Sequence, residues 1–454
     1  MAVLGSGPAG VAAAKALLLN GVSVTMLDAG NTMPAEALSV RDAMASTVPD
    51  EWDSEAVNRL NAQGLKDRGQ MPLKTTFGSD YSYDFDVDVA EHGAAILGSR
   101  ARGGLSNVWG ASILPLSDAD IAGWPINMAD LAPHYAAVLK WLPHSQVTDE
   151  LSDTYPLHSS YQRKLGLSRQ ARALLGDLRS STEQLNNSGI SFGQARLAMS
   201  NCFYCGQCLI GCPYQFVYSA NETLDDLRDY PGFTYSCDTL VQGITEHGSH
   251  VALHVQQAGQ LRTIEVERLF MGAGVLGTAK LLMPLLKEKK LLIKDSAYSL
   301  IPFLRYEKVP RVELEPLYTL PQIFMEVDVP ELTSRNAHLQ WYSYNDFYQQ
   351  EIRKTFGMAY RALPTAFPRQ IIERMWTIQG FLHSDDSPEI LMRFDADFRK
   401  IALSSVENPK TKKLFKAVLR KLSTMSGVVG GRPVPFFSRV GIAGGSFHAG
   451  SSFP

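Results

Sequence analysis

A short apolar strand that runs straight into Gly5-Ser6-Gly7-Pro8-Ala9-Gly10 constrains this chain more than any other feature. In such a strand–turn–helix the first glycine permits the tight turn, the second lets the backbone approach a pyrophosphate, and the third lets the helix pack close on the strand. The phosphate charge then meets the helix N-terminus. The helix is expected to begin near Val11 and to end at Asn20-Gly21, with a second strand over 22–27. Asp28 closes that strand, about 20 residues past the glycines, where a ribose-binding acid belongs. The pattern predicts a dinucleotide-binding βαβ opening without saying which dinucleotide. A small-residue turn in an ordinary α/β fold would leave Asp28 without a role.

At 454 residues the chain exceeds one ordinary domain, so two structural domains are expected. A hydrophobic content of 45% with 20% charged residues fits a globular enzyme, and a net charge of -3 argues against a nucleic-acid partner. No stretch reaches the ~18 uninterrupted apolar residues of a membrane span, and a cytoplasmic location is the default expectation. The opening strand has only Met1 to Leu4 where about five residues are typical. The chain also stops at Pro454 directly after a glycine-rich segment, and a truncated reading frame is expected.

Along the chain, 36–45 reads as a helix in an otherwise surface-like region. The alternation over 81–89 reads as an exposed strand, in preference to a metal site of Asp84, Asp86 and Asp88, because no Asp-x-Asp-x-Asp-Gly loop follows. Ala101-Arg102-Gly103-Gly104-Leu105-Ser106-Asn107-Val108-Trp109-Gly110-Ala111 brackets polar and aromatic groups with glycines, a loop suited to bringing backbone close to a ligand. A helix start follows at Met128-Ala129-Asp130-Leu131-Ala132-Pro133-His134-Tyr135, after Gly123-Trp124-Pro125-Ile126.

These three segments, in this order, resemble the flavin-dependent glucose-methanol-choline (GMC) oxidoreductases. The resemblance implies an α/β fold: a Rossmann-like FAD-binding domain over 1–290, a Cys-motif insertion near 200–215, an antiparallel-sheet (α+β) substrate domain over 291–437, and a return to the FAD domain over 438–454. It implies that Gly5, Ser6, Gly7, Pro8, Ala9, Gly10 and Asp28 hold the ADP half of FAD. It places Gly104, Ser106, Asn107 and Gly110 along the pyrophosphate and flavin ring, and Val241 on the adenine, although a buried strand valine is equally natural without a ligand. Gly444-Gly445-Ser446-Phe447-His448-Ala449-Gly450 resembles the family's C-terminal segment facing the flavin, which makes His448 the expected base, and the second polar catalytic residue that follows in the family is missing. The implied activity is oxidation of a CH–OH group of a small-molecule alcohol or sugar-like donor by hydride transfer to flavin.

Gly272-Ala273-Gly274-Val275-Leu276-Gly277 again fits G-x-G-x-x-G, with Asp295 downstream, and so admits a nicotinamide-linked dehydrogenase. Against it stand Pro284 within the helix and the short strand over 291–294; the resemblance instead gives these residues, Gly274 among them, to the same FAD. A truncated, non-catalytic flavin-binding or electron-transfer protein is the other alternative. Cys202, Cys205, Cys208 and Cys212, followed by Pro213, reproduce the bacterial ferredoxin spacing C-x₂-C-x₂-C-x₃-C-P. They are expected to hold an iron-sulfur cluster passing electrons from flavin to a cytochrome or quinone partner; a cysteine-rich loop packed as small apolar residues is the plain alternative. Cys237 is expected to be buried. Aromatic strands around 319–329 and 337–344 and a hairpin of 375–382 with 389–394 predict the antiparallel sheet, with Trp341, Tyr342, Tyr344 and Trp376 as candidate substrate contacts. The segment 409–425 reads as a basic amphipathic surface helix, with a membrane-surface or acidic-partner contact as the minority reading.

Overall fold

The computed structural model describes residues 1–55, 57, 88–345, 357, 366–446 and 448–451. Most of the expected strand over 81–89, with Asp84 and Asp86, lies outside the described residues.

The fold is α/β. A parallel sheet runs in the order β5-β2-β1-β9, from β1 (Ala2–Leu4), β2 (Val24–Leu27), β5 (Phe233–Ser236) and β9 (Leu269–Met271). The helix after β1, α1 (Pro8–Leu19), begins three residues earlier than expected, because Pro8 suits the first helical position, where its missing N–H costs nothing. It packs Val11, Ala14 and Leu18 on Val3 and Met26 of the sheet and on Leu224 of a later helix, α6 (Ala220–Leu227). A meander of β6 (Thr239–His247), β7 (His250–Gln257) and β8 (Gln260–Val266) returns the chain to β9.

A larger sheet, order β17-β11-β14-β13-β12-β4, is built from β4 (Ile190–Gln194), β11 (Tyr298–Arg305), β12 (Ile323–Val327), β13 (Ala337–Tyr342), β14 (Met375–Phe381) and β17 (Gly431–Pro433), with β18 (Arg439–Val440) beside β11. Strand periodicity divides its two faces. Met325, Leu339, Trp341, Trp376, Ile378 and Phe303 point into a core closed by α4 (Arg169–Arg179) and α9 (Pro409–Thr424). In α9 the predicted amphipathic pattern holds: Leu414, Val418 and Leu422 are buried while Lys410, Lys412, Lys413 and Lys416 are exposed and the half-buried Lys421 donates to the Asp328 carbonyl oxygen.

The expected hairpin of 375–382 with 389–394 does not form. β14 pairs with β11 and β13, whereas β15 (Glu389–Phe394) belongs to a separate mixed sheet. That sheet runs β19-β10-β15-β16-β3, from β3 (Asp88–His92), β10 (Lys290–Lys294), β16 (Lys400–Val406) and β19 (Gly450–Ser451). The Ser384–Asp386 turn between β14 and β15 crosses from one sheet to the other, tied by Asp385 to Lys294 at 2.6 Å. The remaining helices, α2 (Ala35–Ala45), α3 (Met128–Val138), α5 (Thr182–Asn187), α7 (Gly274–Leu286) and α8 (Ala366–Ile372), flank these sheets. No helix among the described residues is long and apolar enough to cross a membrane.

Candidate functional site

The two glycine turns meet. Because β1 and β9 are parallel neighbours, the turns that leave them emerge side by side: Gly5 sits at φ +90, and a Cβ on it would come within 2.6 Å of the Gly272 carbonyl oxygen. A Cβ on Gly10 would overlap the Gly5 carbonyl oxygen, so this glycine sets the approach of α1 to β1. Gly7 differs, since nothing lies within 4 Å of where its Cβ would be. As N-cap of α1, Gly7 supplies no side chain to the first helical N–H groups, which stand at the positive end of the helix dipole without a side-chain cap. Gly274, at the start of α7, has the same open surroundings at φ +70.

The loop over 101–111 folds onto this turn. Gly103 and Gly104 both take left-handed backbone, and the Gly103 N–H donates to Ser6 Oγ at 2.9 Å. Ser106 and Asn107 are tied inward. Ser106 Oγ donates to the Gly103 carbonyl at 2.6 Å and accepts from the Ala220 N–H at 2.8 Å, while Asn107 Oδ1 accepts from Ser219 Oγ at 2.7 Å and Asn221 Nδ2 at 3.0 Å. They pin the glycine loop to the N-terminus of α6. Asp28 is buried and accepts hydrogen bonds from the Ser6 hydroxyl and from Tyr235 at 2.9 Å; burial raises its pKa, an effect these bonds oppose. Val241 packs with Leu4, Leu27 and Val255 beneath the same turn.

From Pro8, Ser106 and Gly110 a cavity of about 1240 Å³ extends to the face of the large sheet turned away from its core. There the register sets Glu326, His338, Phe381 and Tyr298 in one row across β12, β13, β14 and β11, with Gln340 opposite Gln379 in the next. His448 lies in the same cavity. Its segment is held from behind: the Gly444 N–H and Ser446 Oγ donate to the buried Asp295 carboxylate at 2.7 and 2.6 Å, Ser446 Oγ accepts from the His448 N–H at 2.9 Å, and Gly450 and Ser451 pair with β10. The imidazole stacks beside Phe381 at 5.0 Å between ring centroids. Much of its surface is exposed, but into the cavity and among protein atoms on most sides, so desolvation, helped by the nearby His338, lowers its pKa from 6.5.

Several expected residues fall elsewhere. Asp295 does not close a parallel nucleotide-binding strand, because β10 runs antiparallel between β15 and β19; its carboxylate holds the His448 segment, and the geometry of a second, nicotinamide-binding βαβ is missing. Trp341 and Trp376 are fully buried in the sheet core and Tyr344 lies in another apolar cluster; of the four aromatics only Tyr342 lines the cavity. Cys237 is exposed, contrary to expectation, because it follows the last residue of β5 in a surface turn.

Cys202, Cys205, Cys208 and Cys212 are all free thiols. Cys208 and Cys202 pack in the apolar cluster around Tyr318, and beside them Tyr214 stacks on Phe216 with Phe203 edge-on to both. Burial pushes the Cys202 thiol up to about 12 and raises Cys205 and Cys212 as well. Among the described residues no group of three or more His, Cys, Asp or Glu side chains is arranged to hold a metal ion. The ferredoxin-like spacing thus finds no support as an iron-sulfur site, and the loop packs as the apolar alternative describes.

The residues missed by sequence reading are Glu326, His338, Gln340 and Gln379. Alternation was their signal: in Ala337–Tyr342 the polar His338 and Gln340 share a face with Tyr342 and oppose Leu339 and Trp341.

The chain matches no family model and no curated protein. At the level of architecture it is similar to a solved structure, that of pyridoxine 4-oxidase from Mesorbium loti, with a TM-score of 0.55 over 94% of this chain and 80% of that chain at 14% sequence identity, a likeness of fold.

Proposed function

We propose that the chain is an FAD-dependent oxidoreductase of the GMC type, a dehydrogenase acting on a CH–OH group of a small alcohol or sugar-like donor. One observation carries the reading: Pro8 of the first glycine turn and His448, more than 400 residues apart in sequence, line a single cavity with Ser106 and Gly110 of the glycine-rich loop. The open space at Gly7 and Gly274 and the uncapped start of α1 fit a bound pyrophosphate. In this reading Gly5, Ser6, Gly7, Pro8, Ala9, Gly10, Gly104, Gly110 and Gly274 cradle FAD, Asp28 turns from Ser6 and Tyr235 to the ribose, and Val241 supports the adenine. Ser106 and Asn107 serve by fixing the loop. Residues 1–290 and 438–454 form the cofactor half and 291–437 the substrate half, to which β4 adds an edge strand. The likeness to a structure titled an oxidase supports the same class.

FAD bound there supplies the acceptor for the hydrogen leaving carbon as hydride. The chain's own part is to bind the alcohol against the β12–β14 face, exclude water with Phe324, Phe381 and Leu382, and take the hydroxyl proton on His448. A neutral imidazole is required for that, and the desolvation that lowers the His448 pKa keeps it neutral. The four-cysteine loop finds no support as a cluster site, so no electron path to a cytochrome or quinone partner is drawn through it.

The test is an absorption spectrum of the purified protein, with flavin stoichiometry, followed by anaerobic reduction with a panel of alcohols and sugars. About one FAD per chain, bleached by at least one donor, is the expected result. Flavin without reduction by any donor would favour the non-catalytic reading, and a colourless protein that cannot be loaded with FAD would overturn the cofactor assignment.

A further inference from the structure

Arg335 stands two residues ahead of β13 on a loop whose backbone is pinned. Its N–H donates to Thr333 Oγ1 at 3.2 Å, and the Thr333 hydroxyl donates to the buried Asp386 carboxylate at 2.6 Å. The side chain lines the cavity, where it is only 15% exposed. A guanidinium carries five N–H donors and cannot shed its charge, so burial on this scale calls for acceptors. Among the described residues its one charged contact is Asp385 Oδ2 at 3.8 Å, beyond hydrogen-bond reach. That carboxylate is already engaged: Lys294 Nζ donates to its other oxygen at 2.6 Å, a bond that holds the Asp385 carboxyl below its ordinary value. Of the two other acids in the cavity wall, Asp120 accepts the Ser117 N–H at 2.8 Å and the Ser117 hydroxyl at 2.7 Å, and Glu326 is bonded to His338. Each carboxylate of the wall has a nearer partner than Arg335, and the guanidinium is left over.

The sheet places this cation. Tyr342, at one end of β13, has its hydroxyl within 4 Å of where a Gly110 Cβ would be, beside the glycine-rich loop. At the other end His338 opposes Phe381, the last residue of β14, and Phe381 touches His448. Arg335, ahead of β13, and Asp385, beyond β14, meet past that pair of residues. Three residues separate Arg335 from His338, at most about 10 Å of extended chain.

We propose that Arg335 sets the specificity of this cavity and that the substrate is a hydroxylated acid: its anionic group, carboxylate or phosphate, seats on the guanidinium while its hydroxyl-bearing carbon is held beside His448. The proposal deepens the oxidoreductase reading above and rests on it. The planar fork of an arginine gives two parallel, charge-assisted hydrogen bonds to either anion. A donor held at two points presents one chosen carbon to the base, and the pinned loop keeps that geometry from one molecule to the next.

The test is calorimetric and needs no turnover. Full-length protein with FAD present is titrated at pH 7 and low salt with succinate and with inorganic phosphate, neither of which carries an alcohol to oxidise. The wild type should bind at least one of them, more weakly as salt is raised, and the tighter of the two separates a carboxylate site from a phosphate site. Arg335→Gln should weaken that binding at least about tenfold, and Arg335→Lys, which keeps the charge and loses the fork, should fall between the two. In flavin reduction the wild type should prefer gluconate or glucose 6-phosphate to glucose by about tenfold or more in kcat/KM, chiefly through KM, and Arg335→Gln should lose that preference. Equal anion affinity in wild type and Arg335→Gln, or no binding of either probe to the wild type, would overturn the proposal. If no donor reduces the flavin, the oxidoreductase reading fails by itself, and the calorimetry still decides whether Arg335 holds an anion.

Discussion

Gly7 and Gly10 lie three residues apart in one motif, yet the structure separates what each does, and alanine at each position should reveal it. At Gly7 a Cβ meets nothing within 4 Å, and φ -66 suits any residue. Replacing an N-cap glycine with alanine costs about 1 kcal/mol of helix stability. Reduced freedom of the unfolded chain returns about 0.4–1 kcal/mol, so the apoprotein should unfold within about 1 kcal/mol of wild type. At Gly10 the same methyl overlaps the Gly5 carbonyl oxygen, backbone that cannot yield without moving α1 off β1; overpacking of that kind costs about 1–3 kcal/mol or more. The effect on cofactor runs the other way. The open space at Gly7 is where a pyrophosphate would approach, so Gly7→Ala should weaken FAD binding at least tenfold, equivalent to about 1.4 kcal/mol, and Gly7→Val should purify colourless. Urea unfolding of the apoproteins and FAD titration followed by quenching of flavin fluorescence give the two quantities. Wild-type FAD affinity in Gly7→Ala, or equal destabilisation by the two alanines, would refute the assignment of the open space to cofactor.

Three further outcomes are expected. His448→Ala should retain its flavin and lose on the order of 10² to 10⁴ in the rate of substrate-driven flavin reduction, measured by anaerobic stopped flow. In the wild type the acid limb of that rate should have its midpoint below 6.5, since desolvation disfavours the charged imidazole. Cys237, exposed on its turn, should react with a thiol reagent at pH 8 well ahead of Cys202, Cys205 and Cys212, whose burial disfavours the thiolate. Burial raises the Asp295 pKa above 3.8, so between that value and its native pKa the folded chain binds more protons than the unfolded one. Its contribution to stability therefore falls as pH rises through that window, at most by about 1.4 kcal/mol per pH unit, and Asp295→Asn should flatten that dependence in pH-resolved urea unfolding.

What could be read from sequence followed from local rules. The glycine turn, Asp28 and the strands beside them are specified by residues within about 30 positions of each other, where turn chemistry and periodicity act directly. The amphipathic α9 was legible for the same reason. The errors came where a local pattern has two tertiary outcomes. Ser384-Asp385-Asp386-Ser387-Pro388 has the composition of a hairpin turn, but whether its flanking strands pair depends on partners far away, and β14 found Tyr298–Arg305 while β15 found Lys290–Lys294. The cysteine spacing is compatible with a cluster, but spacing alone does not establish one; the loop packs against Tyr318, with Tyr214 stacked on Phe216 and Phe203 edge-on to both. Asp295 had the right distance from its glycines for a ribose acid and serves the His448 segment because strand direction, not sequence separation, decides what it faces. Glu326 and His338 were hidden by the same gap. Each strand's alternation marks a polar face, but only the pairing register, which places Glu326 opposite His338 and His338 opposite Phe381, turns two unremarkable polar residues into a hydrogen-bonded pair beside His448. A chain whose C-terminal segment offers His448 to the cavity thus meets a second imidazole, His338, on the facing sheet, a neighbour that the register alone reveals.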